Sequence, residues 1–161
     1  VEVEKREYRL KTAVQSVQQD FDFIFIDCPP SLGLLTINAL GAADSVLIPI
    51  QCEYYALEGV ASLMNTISRV KKTINPHLEI EGVLLTMLDG RTNLGLQVVK
   101  KHFKKQVYAT VIPRSVRLGE APSHGEPIHV YDKRSAGCVA YVNLAKEVLK
   151  RNNIKVKEFK L

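Results

Sequence analysis

The stretch Phe21–Gly33, FDFIFIDCPPSLG, decides the fold that this sequence predicts. A mostly apolar run, residues 21–26, ends at Asp27, and Cys28 with two prolines follows at once. Such a run is typical of a strand buried on both faces, as in a parallel sheet covered by helices. Asp27 would then lie at the carboxyl end of the strand, the edge where open α/β sheets bind ligands. The stretch therefore predicts an α/β fold with a ligand or metal site at Asp27.

Strands and helices alternate on the carboxyl side of this stretch, and a helix precedes it. This alternation indicates a mainly parallel sheet, covered by helices on both faces and joined by right-handed crossovers. We expect a single domain, 1–161, with an irregular segment at about 114–134 and a frayed tail at 152–161. Further strands are predicted at 45–51, about 80–88 and 107–113, and helices at about 5–19, 32–43, 58–73, 94–105 and 136–151.

The composition favours a globular protein. The chain has 161 residues and 46% apolar content, which is enough for a hydrophobic core. No run approaches the ~18 apolar residues of a membrane span, and the sequence VEVEKREYRLK at the amino terminus lacks the apolar core of a signal peptide. We therefore expect a cytoplasmic protein. Its three cysteines are widely spaced, which predicts reduced thiols, and its histidines lack metal-ligand spacing.

Positive charge is concentrated in one segment. Between Gly90 and Gly119 there are seven basic residues and no acid, and the rest of the chain has 15 basic and 17 acidic residues. A local excess of this kind predicts binding to phosphate, in a nucleotide or a nucleic-acid backbone. The alternative is a solvated helix face around VVKKHFKK, residues 98–105.

The apolar run that ends in an acid also matches the second nucleotide motif of P-loop nucleotidases, whose acid helps to hold Mg²⁺ beside the phosphates. Acids are common at strand ends in α/β folds, so this pattern by itself is weak. The phosphate loop GxxxxGK[ST] does not occur in the sequence. Its nearest match, GRTNLGLQ at 90–97, has leucine and glutamine in place of the lysine and hydroxyl, and predicts a turn into a helix.

Four stretches in order, DFIFIDCPPSLGLLTINAL, VLIPIQCEYYALEGV, GVLLTMLDGRTNLG and VIPRSVRLGEAPSHGEPI, carry a family resemblance. The sequence resembles the ParA/Soj family of chromosome and plasmid partitioning ATPases, which belong to the deviant-Walker P-loop class. The resemblance extends from about Arg6 to Lys150. Family members also have an amino-terminal portion that carries the P-loop. The resemblance therefore implies the carboxyl-terminal part of a ParA/MinD-type ATPase domain, with a sheet incomplete at its amino-terminal side.

The resemblance also implies site residues. Asp27 is similar to the family's aspartate near Mg²⁺, which acts through water, and residues 28–33 resemble the switch that senses the γ-phosphate. Prolines would stiffen such a switch. The implied nucleotide-binding residues are Asp27, Pro29, Pro30 and Ser31, with Met87 and Pro113 at the adenine pocket. The implied DNA-binding residues are Arg91 and Arg117, with Lys100, Lys101, Lys104 and Lys105 from the acid-free segment.

The implied activity is ATP-dependent dimerisation and DNA binding without sequence preference, with hydrolysis stimulated by a ParB/Spo0J-type partner. ATP and Mg²⁺ would be cofactors of the full-length parent, and we expect the 161-residue chain to bind neither tightly and to be inactive as an ATPase. Its location would be the nucleoid. A MinD-like membrane-cycling relative fits less well, because the tail offers too little apolar face.

Several alternatives stay open. The chain could be a non-enzymatic DNA- or protein-binding module related to ParA. Arg114 and Arg117 could pair with Glu120 and Glu126, and Met87 could belong to the core. Without the P-loop strand beside it, the run at 23–26 would be an unpaired apolar edge, and such edges recruit other chains. We therefore expect self-association.

Overall fold

The computed structural model describes residues 5–29, 31–51, 56–88, 99 and 103–155, with the side chains of 56–58 and 104 excepted. The strands are β1 (Ser45–Gln51), β2 (Glu79–Leu88) and β3 (Val107–Pro113). The helices are α1 (Arg9–Gln15), α2 (Leu34–Ala42), α3 (Ala56–Thr73), α4 (Val116–Glu120), α5 (Ile128–Tyr131) and α6 (Ala136–Arg151). Short 3₁₀ turns cover Arg6–Tyr8, Gln18–Asp20, Lys104–Gln106 and Ala121–His124. The predicted α/β fold is confirmed.

The sheet has the order β1-β2-β3. Strands β2 and β3 run parallel, with Val83 opposite Val107 and Leu88 opposite Pro113. Four successive residues of β2, 82–85, are buried, as expected of a parallel strand covered on both faces. The register shifts twice along this pair, once on each side of Leu85. The sequence prediction of strands at 45–51, 80–88 and 107–113 is confirmed.

The chain divides into two compact units, residues 1–47 with 58–81 and residues 48–57 with 82–161. In the first unit, α3 places Ile67 and Val70 in the core, one helical turn apart. Asn75 follows α3 and is buried; its Nδ2 donates to the carbonyls of Leu40 and Ala43, at 3.0 and 2.8 Å. These bonds satisfy carbonyls that the end of α2 leaves without helical partners.

In the second unit, α6 packs against β3, which is an edge strand of the described sheet. The Glu147 carboxylate accepts hydrogen bonds from the backbone amides of Ala109 and Thr110, at 2.9 and 2.8 Å. Arg151 donates to the carbonyl of Val107 at 3.0 Å, and its guanidinium lies 3.8 Å from the ring centre of Tyr108. An edge strand otherwise presents unpaired amides and carbonyls to other chains. This helix therefore covers that edge with an ion pair.

The prediction that residues 21–26 form a buried strand is wrong. Phe21 has extended backbone, but the segment joins no strand of the described sheet. Phe25 is 79% exposed, and Phe21 and Ile24 are also exposed. A strand exists only through its partners, and no described strand pairs with this segment. Within the described residues, the segment is thus unpaired and its apolar side chains are exposed.

Other sequence expectations fare unevenly. The helices at 32–43, 58–73 and 136–151 are confirmed within two residues at each end. The helix at 5–19 is broken into α1 and two 3₁₀ turns, and the segment 114–134 contains α4, α5 and a 3₁₀ turn where irregular structure was expected. Most of the predicted helix 94–105 lies outside the described residues. No helix in the described part of the chain is both long and apolar enough to span a membrane.

Candidate functional site

The loop between residues 26 and 34 presents Asp27 to solvent. Its far end is tied to helix α2, because the buried Thr36 hydroxyl donates to the Ser31 carbonyl at 2.5 Å. Burial raises the pKa of the Cys28 thiol, and the neighbouring Asp27 carboxylate raises it further. The thiol therefore stays protonated at neutral pH, which argues against a role as a nucleophile. Pro29 is exposed in the same loop, and Pro30 lies outside the described residues.

Asp27 is a single exposed carboxylate. Among the described residues, no group of three or more histidine, cysteine, aspartate or glutamate side chains could hold a metal. Protein sites for Mg²⁺ commonly use only one or two carboxylates, with substrate phosphates and water completing the octahedron. A single carboxylate such as Asp27 can take part in a Mg²⁺ site when a nucleotide and water supply the other ligands.

Met87 and Pro113 lie at the carboxyl ends of the neighbouring strands β2 and β3. Met87 has φ 51°, a left-handed conformation that is uncommon for residues other than glycine, and its side chain is 46% exposed. The register shift between Leu85 and Leu88 accompanies this conformation. The sequence alternative that Met87 belongs to the core is therefore wrong. Backbone outliers of this kind cluster at ligand sites.

A groove of about 670 Å³ runs beside these strand ends, between the sheet and α6. Its volume is within the range of small-molecule pockets. Pro113 lines it, and Met87 does not. The lining is mainly small and apolar: Leu88, Ala109, Thr110, Val111, Pro113, Ala136, Val139, Ala140 and Asn143.

Arg117 is held by two carboxylates, Glu120 and Asp132, which we call the acidic clasp. Its Nη1 lies 3.0 Å from Glu120 Oε2, and its Nε lies 3.4 Å from Asp132 Oδ2. The hydrogen bond to Glu120, with a further one to Tyr131, raises the pKa of Arg117. Arg117 is therefore cationic, and its side chain is 55% exposed. The alternative that Arg117 pairs with Glu120 is confirmed.

The structure describes only part of the predicted DNA surface. Arg91, Lys100 and Lys101 lie outside the described residues, and of Lys104 only the backbone is described. Lys105 is exposed within the 3₁₀ turn Lys104–Gln106 that precedes β3. Arg117 is thus the predicted DNA-binding residue whose surroundings are known in most detail.

Sequence reasoning missed two residues of the Arg117 site. The spacing of Glu120, three residues after Arg117, was a visible signal for pairing on one helix. Tyr131 is the last residue of α5, and Asp132 directly follows it. Both residues are distant from Arg117 in the sequence. Their approach depends on the turns between α4 and α5, which no periodicity in the sequence predicted.

Comparison with known proteins gives consistent relatives. A family model described as an AAA domain matches residues 1–80. The chain is 66% identical to the sporulation initiation inhibitor protein Soj of Bacillus subtilis over 146 residues, which cover 89% of the chain and 58% of Soj. It is 54% identical to the chromosome partitioning protein ParA of Myxococcus xanthus, covering 96% of the chain and 56% of that protein. The chain therefore spans somewhat more than half the length of these relatives.

A solved structure shares the fold. Cobyrinic acid a,c-diamide synthase from Mycobacterium smegmatis, with bound ADP and magnesium, matches with a TM-score of 0.76 and 37% sequence identity. The match covers 94% of this chain and 56% of that one. The bound ADP and magnesium of that structure belong to a protein with the same α/β architecture.

Proposed function

Because the chain belongs to the ParA/Soj family, we propose that it works in chromosome or plasmid partitioning as an ATPase of that type. The observation that carries this proposal is the 66% identity to Soj over 89% of the chain. The matched stretch covers 89% of the chain, so it is long enough to extend through both compact units. Partitioning requires a nucleotide-dependent conformation of the protein and DNA binding. This chain offers candidate residues for both.

The nucleotide side of the proposal involves Asp27 and the strand ends. Asp27 would hold the water shell of Mg²⁺, and the bound ion would neutralise charge on the phosphates. Pro29 and Pro30 would limit the loop to few conformations, and Ser31 would contact phosphate. Met87 and Pro113 would bound the adenine pocket. The phosphate-binding lysine and glycine amides would come from a part of the assembly that carries GxxxxGK[ST].

The DNA side involves Arg117, with Arg91 and the lysines of the acid-free segment. A guanidinium binds phosphate oxygens through two donors at once, which gives strong contacts that carry no sequence information. The exposure of Arg117 supports this role. A ParB/Spo0J-type protein would stimulate hydrolysis, and a second copy of the chain would supply the dimer that closes on ATP.

Equilibrium binding to random-sequence duplex DNA at low salt tests this proposal. The wild-type chain should bind, with affinity falling steeply as salt rises because counterions are released. Arg117→Ala should weaken binding several-fold on every sequence and reduce the salt slope by about one. Arg69→Ala is the matched control, because it removes an exposed arginine of α3 outside the acid-free segment.

Equal losses in Arg117→Ala and Arg69→Ala would remove Arg117 from the DNA surface. No binding by the wild-type chain at low salt would contradict the DNA-binding part of the proposal.

A second candidate is a non-enzymatic DNA- or protein-binding module. It is supported by the acid-free basic segment between Gly90 and Gly119, a charge pattern that predicts phosphate binding without requiring an enzymatic activity. The two candidates differ in whether Asp27 matters for ATP hydrolysis once the phosphate loop is present.

A further inference from the structure

Carboxylates already engage two nitrogens of the Arg117 guanidinium. Its Nη1 points to Glu120 Oε2 at 3.0 Å and its Nε to Asp132 Oδ2 at 3.4 Å. Guanidinium groups bind carboxylate and phosphate through the same planar set of N–H donors. One N–H donor cannot form a short hydrogen bond to a phosphate oxygen and to a carboxylate oxygen of the acidic clasp at the same time. A phosphate that approaches Nη1 or Nε of Arg117 therefore competes with a carboxylate that is already bound there.

The acidic clasp does not depend on Arg117 for its position. Glu120 Oε2 also accepts a hydrogen bond from the Tyr131 hydroxyl at 3.2 Å. The Tyr131 ring stacks on His124, with ring centres 5.0 Å apart. These contacts hold the Glu120 carboxylate near its place after Arg117 moves.

Asp132 is fixed in a similar way. Its Oδ1 accepts a hydrogen bond from the backbone amide of Arg134 at 3.2 Å, and its carbonyl accepts one from the Ser135 hydroxyl at 2.8 Å. Both carboxylates of the acidic clasp therefore stay close to Arg117, where they compete with phosphate for its guanidinium. Two carboxylates against one guanidinium also give this spot a negative formal charge, which repels an approaching phosphate.

We infer that Glu120 and Asp132 compete with DNA phosphate for the Arg117 guanidinium and thereby set the DNA affinity of this surface. The inference rests on the proposed function, because it assumes that Arg117 contacts DNA. Glu120 is 40% exposed and Asp132 31% exposed, so the exchange takes place in contact with water. Exposed ion pairs are weak. The acidic clasp therefore lowers the affinity for DNA only modestly, and DNA binding stays reversible.

Glu120→Gln is the variant that tests the inference. It keeps the size of the side chain and an oxygen for the Tyr131 hydroxyl, but it removes the charge that holds Arg117. The matched control is Glu126→Gln, which changes net charge equally at an exposed residue of the same unit. Each variant is made in the wild-type chain and in Arg117→Ala, and affinity for random-sequence duplex DNA is measured by fluorescence anisotropy.

We expect Glu120→Gln to bind DNA about two- to fivefold more tightly than Glu126→Gln, the effect of releasing an exposed ion pair. In the Arg117→Ala background the two variants should bind equally, because Glu120 then has no arginine to hold. Thermal unfolding by circular dichroism checks that each variant is folded. If Glu120→Gln does not fold, Asp132→Asn is judged by the same comparison.

Two outcomes separate this inference from the proposed function. If the wild-type chain binds DNA and Arg117→Ala weakens it, but Glu120→Gln equals Glu126→Gln, the inference is wrong and the function stands. If Glu120→Gln keeps its advantage in the Arg117→Ala background, Glu120 acts by general charge, and the inference is also wrong. Failure of the wild-type chain to bind DNA overturns both.

Discussion

Glu147 shows how one side chain can close the edge of a sheet. Burial opposes ionisation of its carboxyl, but hydrogen bonds from Ala109, Thr110 and Arg151 outweigh burial and lower its pKa. The charged form is therefore the one that the fold stabilises. Because it accepts hydrogen bonds from two backbone amides of β3, loss of the carboxylate leaves those donors unsatisfied.

Glu147→Gln should reduce the free energy of unfolding by about 1–3 kcal/mol at neutral pH, the usual contribution of hydrogen bonds to a charged group. A group whose pKa is lowered by folding contributes stability above its ordinary pKa, here 4.5, and loses that contribution as the pH falls through the folded value. The gap between variant and wild type should therefore narrow well below pH 4.5. Urea unfolding at neutral and acidic pH measures this difference in the free energy of unfolding between wild type and variant.

Glu126→Gln is the control for this experiment, because Glu126 is exposed. A gap between wild type and Glu147→Gln that stays constant at acidic pH would show that the carboxylate charge is not what stabilises the β3 edge.

The segment 21–26 is the element in which sequence and structure differ most. Its apolar residues are those of a buried strand, yet Phe25 and Ile24 are exposed because no described strand pairs with them. Apolar extended backbone without a partner is prone to pair with another chain. We therefore expect the chain to associate with itself through this segment.

Phe25→Lys should weaken self-association about tenfold to a hundredfold, since burial of a phenylalanine side chain contributes ~1.5–3 kcal/mol. Val116→Lys makes the same change in charge at another exposed apolar residue, 76% exposed on α4, and should leave association unchanged. Sedimentation velocity over a range of concentrations measures the self-association constant of the wild-type chain and of each variant. A wild-type chain that stays monomeric at high concentration would contradict the expectation.

The elements differ in how well the sequence predicted them for physical reasons. Strand β2 and helix α6 were predicted because each carries a regular apolar pattern that its own neighbours satisfy. Helices α4 and α5 are too short for a periodic signal, and glycine and proline around them favoured an irregular prediction. The segment 21–26 failed because burial depends on a partner strand, which the residues of the segment cannot reveal.

The candidate sites were predicted unequally for a similar reason. Arg117 could be found from charge and family resemblance, and Glu120 was already an alternative surface partner for it. Asp132 and Tyr131 reach it through tertiary structure, so they were missed. The left-handed backbone of Met87 likewise has no signal in sequence, because methionine does not favour that conformation.

The molecule as a whole carries an exposed aspartate, strand ends with an unusual backbone conformation at Met87, and an arginine held by the acidic clasp. Hydrolysis should require the phosphate loop, since positioning and charge neutralisation provide nearly all of the catalysis of phosphoryl transfer. We therefore expect no ATP hydrolysis from the 161-residue chain by itself. The decisive question is whether its Asp27 works as a nucleotidase carboxylate when the phosphate loop is present.

The most direct measurement is magnesium-dependent ATP hydrolysis by a chimera in which this chain replaces the matching part of Bacillus subtilis Soj. The chimera should hydrolyse ATP, and Asp27→Ala should lower its rate at least about a hundredfold, the usual cost of losing an electrostatic group in such a site. Asp22→Ala, at an exposed aspartate of the same segment, should leave the rate unchanged. Equal rates in the chimera and its Asp27→Ala variant would contradict the assignment of this chain to a partitioning ATPase.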